Sequence, residues 1–269
     1  DRWYASGVLT GAVVGNTGES DEQTGYLARV AFLPLRGETY GVHVGANLTG
    51  IVEVADTDPS AITQQRLRLR ERPELRNDTT RFVDTGNINA DGLVAYGAEI
   101  GGYWRNFYAA GEAFQIDVDR VGGQDPSFSG WYVQGAWTIT GERRRWNGAS
   151  GGFSGIRPEN PFDVRAGHWG AWEVAARYST LDLNYHEGAL GSAAIAGDTV
   201  RGGEQNITSI GLNWYPNATI RFLLNYQWVD IDRLDPENGV VANTTVFGGS
   251  PSVTGNGAQI GQDYQAISL

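Results

Sequence analysis

Four arginines at Arg66, Arg68, Arg70 and Arg72 alternate with Leu67, Leu69 and Glu71 in the stretch QRLRLRERPELR, residues 65–76. In an extended chain successive side chains point to opposite faces, so the four guanidinium groups share one face and the leucines share the other. A helix would scatter the same residues around its circumference. Aligned cations repel one another and gain nothing from an apolar core, so their face meets water, acidic partners or a passing anion. Guanidinium suits oxyanions because its planar fork of donors stays charged at any physiological pH. Arg76 follows after Pro73, and a second basic run, Arg143, Arg144 and Arg145, lies in the Gly-rich connection 141–167. That connection either folds inward and adds cations to the same path, or forms an exposed basic turn.

The elements that must carry these arginines are strands. The chain holds 38 Gly, 9 Trp, 12 Tyr and 9 Phe on a negative mean hydropathy, a composition that suits short strands and turns better than helices. No run approaches the ~18 apolar residues of a membrane helix. β-Barrels need only ~9–11 alternating residues per strand, and the alternation is explicit. Trp172, Val174, Ala176 and Tyr178 oppose Glu173, Ala175, Arg177 and Ser179. Ile210, Leu212 and Trp214 oppose Ser209, Gly211 and Asn213, and Ile220, Phe222, Leu224, Tyr226 and Trp228 oppose Arg221, Asn225 and Gln227, with Leu223 the exception. Arg177 and Arg221 therefore face the lumen, where hydrogen-bonded pairs with carboxylates such as Glu173 and Glu99 are their expected role.

Trp and Tyr recur near strand ends, at Trp3 and Tyr4, Tyr103 and Trp104, Trp169, and Trp214 and Tyr215. This is the aromatic girdle of an outer-membrane barrel. The expected class is all-β, a transmembrane antiparallel barrel with ten or eleven strand segments in this chain, forming one domain over residues 1–269. Strand parity poses a question. Short turns at residues 36–39 and 105–106 belong on one rim, which requires an even number of passages between them, yet three segments lie between if the arginine row is a wall strand. Either that row, or part of residues 74–90, folds into the lumen, or a further strand lies near residues 80–84.

Enzyme signals are thin. Gly148-Ala-Ser150-Gly-Gly152 fits G-x-S-x-G without its strand-to-helix setting, and His43, His168 and His186 lack metal-ligand spacing. The expectation is a non-enzymatic protein with no cofactor and no metal. A net charge of −11 argues against nucleic acid as a partner. It does not contradict an anion path, because most carboxylates fall in connections or at strand ends and selectivity follows the local field.

RPELR at 72–76, RFVDTGNINAD at 81–91, PSFSGWYVQGAWTITGERR at 126–144, NPFD at 160–163, WGAWEVAARYSTLDLN at 169–184 and GLNWYPNATIRFLLNYQWVDID at 211–232 resemble, in order, the phosphate-selective porins of the O/P type. The resemblance implies a sixteen-stranded bacterial outer-membrane barrel, a homotrimer set in lipid and lipopolysaccharide, with an arginine-lined lumen for inorganic phosphate or other small anions. It also implies missing strands before Asp1 and a missing aromatic tail after Leu269, so that the chain is the C-terminal two-thirds of a porin. By that resemblance Arg66, Arg68, Arg70, Arg72 and Arg76 form an arginine ladder. A general non-specific porin, a barrel anchoring an envelope partner through its loops, and a soluble β-sandwich enzyme or lectin are the alternatives.

Overall fold

The computed structural model describes residues 1–11, 23–54, 66–75, 80–236 and 257–268. Ten strands follow one another in an antiparallel meander. They are β1 (Trp3–Thr10), β2 (Thr24–Arg36), β3 (Tyr40–Glu53), β7 (Ile88–Trp104), β8 (Phe107–Arg120), β9 (Ser127–Thr138), β12 (Ala171–Tyr185), β13 (Val200–Tyr215), β14 (Phe222–Asp232) and β15 (Tyr264–Ser268). Five two-residue pieces complete the order: β4 (Arg66–Leu67), β5 (Arg70–Glu71), β6 (Val83–Asp84), β10 (Trp146–Asn147) and β11 (Gly152–Phe153). β4 adds to the edge of β7, making an eleven-stranded sheet, while β5 pairs β6 and β10 pairs β11 as small separate ribbons. The all-β class and the ten or eleven segments expected from the sequence are both present. Among the described residues β1 and β15 are the two ends of the strand path.

Parity resolves here. Among the described residues only β3 and β7 pass between the two short turns, and they pair directly with each other, so the arginine row is not a wall strand, and neither is the stretch near residues 80–84. Both belong to an in-folded segment, in which β5 and β6 pair with each other.

Alternation along the wall matches the period-two reading. Register places Tyr40 beside Trp104, Trp104 beside Phe107 and Phe107 beside Trp137, then Trp172 beside Trp214 and Trp214 beside Phe222. Their rings stack at centroid distances of 5.4–6.3 Å from Trp104 through Trp137 and from Trp172 through Phe222, forming a girdle on the outer face at the short-turn rim. One expectation is corrected. Adjacent residues of a strand cannot share a face, so only one of each aromatic pair belongs to the girdle. Tyr103 faces inward against Phe153, Tyr4 lies against Gly151, and Tyr215 is buried with its hydroxyl on Glu173.

β8 shows the same rule. Its inner face carries Tyr108, Glu112, Phe114, Ile116 and Val118, while its outer face is mostly small: Phe107, Ala109, Gly111, Ala113 and Gln115. The larger apolar side chains point inward because apolar material is packed there.

That material is the core. Val54, Leu67, Val83, Ile88, Val118, Phe128, Leu183, Val200, Ile207, Val229 and Ile231 form one buried cluster, with Leu69 and Phe82 packed on it. Leu67, Leu69, Phe82 and Val83 come from the in-folded segment; the others come from strands or strand ends from β3 to β14. Burying them removes apolar surface worth about 1.5–3 kcal/mol per side chain from water, which holds the segment against the inner wall at the long-loop rim.

Candidate functional site

The period-two register of the arginine row is visible in the burial of its leucines. Leu67 is 6% exposed inside the core, whereas Arg66, Arg68 and Arg70 stand exposed on the other side. Arg72 is half-buried, and its Nε has no hydrogen-bond partner among the described residues. Arg76 lies outside the described residues. The row is pinned at three places. Leu67 pairs Ile88 on β7, Arg70 pairs Asp84, and Glu74 reaches β12 on the inner wall. The segment thus runs from the β7 edge to β12 along the inner face.

The ladder is not a row of bare charges. Arg68 donates Nε to Asp84 Oδ1 at 2.7 Å and its NH2 to Oδ2, a bidentate clasp. Asp84 also accepts the Gly86 amide at 2.9 Å. Burial pushes the Asp84 carboxyl up, but the Arg68 fork, the Gly86 amide and the charges of Arg68 and Arg233 outweigh it, leaving the group below the usual carboxylate range. Arg233 closes the clasp from the neighbouring loop, donating to the carbonyls of Phe82, Asp84 and Arg201.

Wall arginines are paired too, with partners that differ from the expected ones. Arg177 donates Nε to Glu74 Oε1 at 2.9 Å and NH1 to Gln134 at 3.2 Å, and lies 3.8 Å over the Tyr132 ring. Glu173, one of the lumen-facing carboxylates expected in such pairs, is 1% exposed and receives Arg144 NH2 at 2.8 Å, Asn213 Nδ2 at 3.1 Å and the Tyr215 hydroxyl at 3.0 Å. Arg221 precedes β14 in the connection instead of lying within the alternating strand, and it contacts the Tyr215 hydroxyl.

The connection between β9 and β12 folds inward, the first of its two expected placements. Arg29, which interrupts the apolar run of β2, donates to the carbonyls of Ser150 at 2.9 Å and Gly151 at 2.8 Å while paired with Glu99. His43 Nε2 lies 3.3 Å from the same Glu99 oxygen. Phe153 packs edge-on among His43, Tyr103 and Tyr108. Gly151 has φ +61°, and a Cβ there would stand 2.6 Å from the Tyr4 ring, so only glycine lets the turn sit this close to β1. The three arginines of this connection diverge. Arg144 turns to Tyr108, 4.6 Å over its ring, and to Glu173. Arg143 and Arg145 remain exposed and line a cleft at the short-turn mouth with Arg105 and Arg157, flanked by Glu142 and Glu159.

Arg29, Arg105, Arg201 and Arg233 were not singled out as site residues by spacing. Arg29 carried a usable signal, a cation within an apolar strand, which in a barrel must face inward. Arg201, at the start of β13, and Arg233, just after β14, offered none; Arg201, 2% exposed, donates to the carbonyls of Glu187, Asp235 and Ser192.

Residues 3–250 match the family model described as phosphate-selective porin O and P. The chain is 28% identical over 219 residues to an uncharacterized protein of Caulobacter vibrioides, covering 81% of this chain and 40% of that protein. It is 26% identical over 258 residues to Porin O of Pseudomonas aeruginosa, covering 88% of this chain and 54% of that protein. The chain therefore spans about half or less of the length of these curated relatives. With a meander of antiparallel strands, an outward aromatic girdle and an in-folded basic segment, it belongs to the phosphate-selective porin O and P family, β-barrel proteins of the Gram-negative outer membrane.

Proposed function

We propose that the whole protein is a passive diffusion channel favouring small anions, with inorganic phosphate foremost. The observation that carries this reading is the in-folded segment, whose leucines enter the core while Arg66, Arg68 and Arg70 stand on its open side. A fixed cation beside a narrow path lowers the dehydration and image-charge cost of an entering anion. Arg143, Arg145, Arg105 and Arg157 continue the positive lining at the short-turn mouth. Passage needs no bond chemistry, no cofactor and no metal. The same reading takes the working assembly as a homotrimer in outer-membrane lipid and lipopolysaccharide, on the strength of the family alone.

The test is reversal potential across planar bilayers holding the purified full-length protein under a salt gradient. Anion preference is expected, and Arg70→Glu should reduce it. Cation preference in the unaltered channel would sink the reading.

A second reading, the weakly selective general porin, has its own support. Arg29, Arg68, Arg144 and Arg177 each face a carboxylate at salt-bridge distance. If pairing cancels the field, the reversal potential stays near zero and Arg70→Glu moves it little.

A further inference from the structure

Between the two in-folded segments the inner wall leaves a niche of about 430 Å³. Its ends are the tip of the arginine segment, at Glu74, and Arg144 of the opposite segment; its floor is the inner face of β9, β12, β13 and β14. The volume falls within the ~300–1,000 Å³ of sites that hold organic molecules and exceeds what a bare tetraoxyanion fills.

The donors and acceptors are ordered along the floor. Arg144 and Arg221 stand toward the short-turn end, and Arg177 with Glu74 toward the other. Asn225 lies between them, and its carboxamide makes no hydrogen bond among the described residues. Gly211 opposite it leaves the amide room, since a Cβ there would come within 2.6 Å of Asn225 Oδ1. Next along β14, Gln227 spends its amino group on Ser209 Oγ at 2.9 Å, and its Oε1 has no partner among the described residues. Bare phosphate is held mainly by donors, with an acceptor or two at most for its own P–OH. This one interleaves guanidinium groups with several carboxamides and two carboxylates, Glu74 and Glu173, the latter already paired with Arg144; so many acceptors are best matched by a solute that carries several O–H or N–H groups.

Resting on the anion-channel reading above, we infer that the niche is a subsite for hydroxyl-bearing organic phosphates. The phosphoryl group sits toward Arg144 and Arg221, and the hydroxyls reach Asn225 and Glu74.

The experiment is calorimetric titration of the detergent-solubilised full-length protein with glucose 6-phosphate, inorganic phosphate and glucose in turn. Glucose 6-phosphate is expected to bind roughly tenfold tighter than inorganic phosphate, the worth of one or two added hydrogen bonds, and glucose far more weakly than either. Asn225→Ala should weaken glucose 6-phosphate roughly fivefold more than inorganic phosphate. Equal affinity of the unaltered protein for the two phosphates overturns the inference, as does glucose binding as well as its phosphate. Both outcomes need no variant. The bilayer measurement is separate: anion preference with equal affinities removes the niche alone, while cation preference removes the channel reading whatever the titration gives.

Discussion

Asp84→Asn separates the two roles of the Arg68–Asp84 clasp, anchoring the in-folded segment and muting one arginine. The substitution keeps the size of the side chain and an oxygen for the Gly86 amide, but removes the charge and turns an amino group toward the guanidinium. Hydrogen bonds to charged groups contribute about 1.5–3 kcal/mol. The Arg68 side chain is 42% exposed, and solvent screening reduces the expected local loss to about 1–2 kcal/mol. The remaining anchors are the Leu67 and Val83 side chains in the core and the carbonyl bonds from Arg233, so the segment stays in place. Arg68 is then an unneutralised charge beside the path. At about 6 Å from a passing anion in water it contributes roughly 0.7 kcal/mol, a factor of about three. Salt of about 0.1 M screens this toward twofold. Because the same charge repels a cation by an equal factor, reversal potentials should show the anion-to-cation permeability ratio rising roughly four- to ninefold in Asp84→Asn, and Arg68→Gln should shift it the opposite way by leaving Asp84 unpaired. An unchanged ratio in Asp84→Asn, with the segment still resistant to protease, would refute the placement of Arg68 on the ion path.

Leu67→Ala should loosen the segment by about 2 kcal/mol, the low end for a buried leucine because the segment can partly collapse, and limited proteolysis within residues 66–75 should accelerate about thirtyfold. The clasp should also survive acid. Asp84 is held below its ordinary value near 3.9, so its stabilising contribution is complete above that pH and is lost only as pH falls through the lower folded value; protease sensitivity of the segment should stay flat from pH 7 to about 4.5 and rise below about 4. Brominated lipid should quench a protein retaining only Trp137 and spare one retaining only Trp146, since Trp137 is stacked in the outer girdle and Trp146 lies against inward-facing His43. Equal quenching would mean that the faces have been assigned wrongly.

The strands were legible because a barrel wall imposes period two on every residue that crosses it. Ile210, Leu212 and Trp214 fall on one face by spacing alone. The same pattern was misleading in two places, for one reason. Tyr4, Tyr103 and Tyr215 sit near strand ends as girdle residues do, and β8 carries Tyr108, Phe114 and Ile116 on the same face as Glu112, a mixture that an open, polar lumen would not give. The inner face is instead partly filled by two in-folded segments. Tyr108 meets Phe153 and Arg144, and Phe128 and Val118 meet the segment that carries Leu67. Apolar residues on both faces of one strand therefore mark where something is packed inside.

Charge was less legible than shape, and this bears on how such a lumen selects. Spacing identifies which arginines face inward but not which carboxylates meet them, because each partner is brought by another part of the chain: Glu74 to Arg177 across 103 positions, Arg29 to Glu99 across 70, Arg144 to Glu173 across 29. Even the near pair, Arg68 with Asp84, depends on a ribbon joining β5 to β6. An inward arginine held by a carboxylate adds a dipole to the lumen, and only one without such a partner adds a monopole, which reaches much further through water. Paired arginines fix the in-folded segments and so set the width of the path. On the channel reading, the field an anion meets then rests on the fewer arginines that have no carboxylate clasp among the described residues, with Arg70 and the exposed pair Arg143 and Arg145 foremost. Substituting those residues should change selectivity with little change in conductance, whereas breaking a pair should change conductance through the width of the path as well.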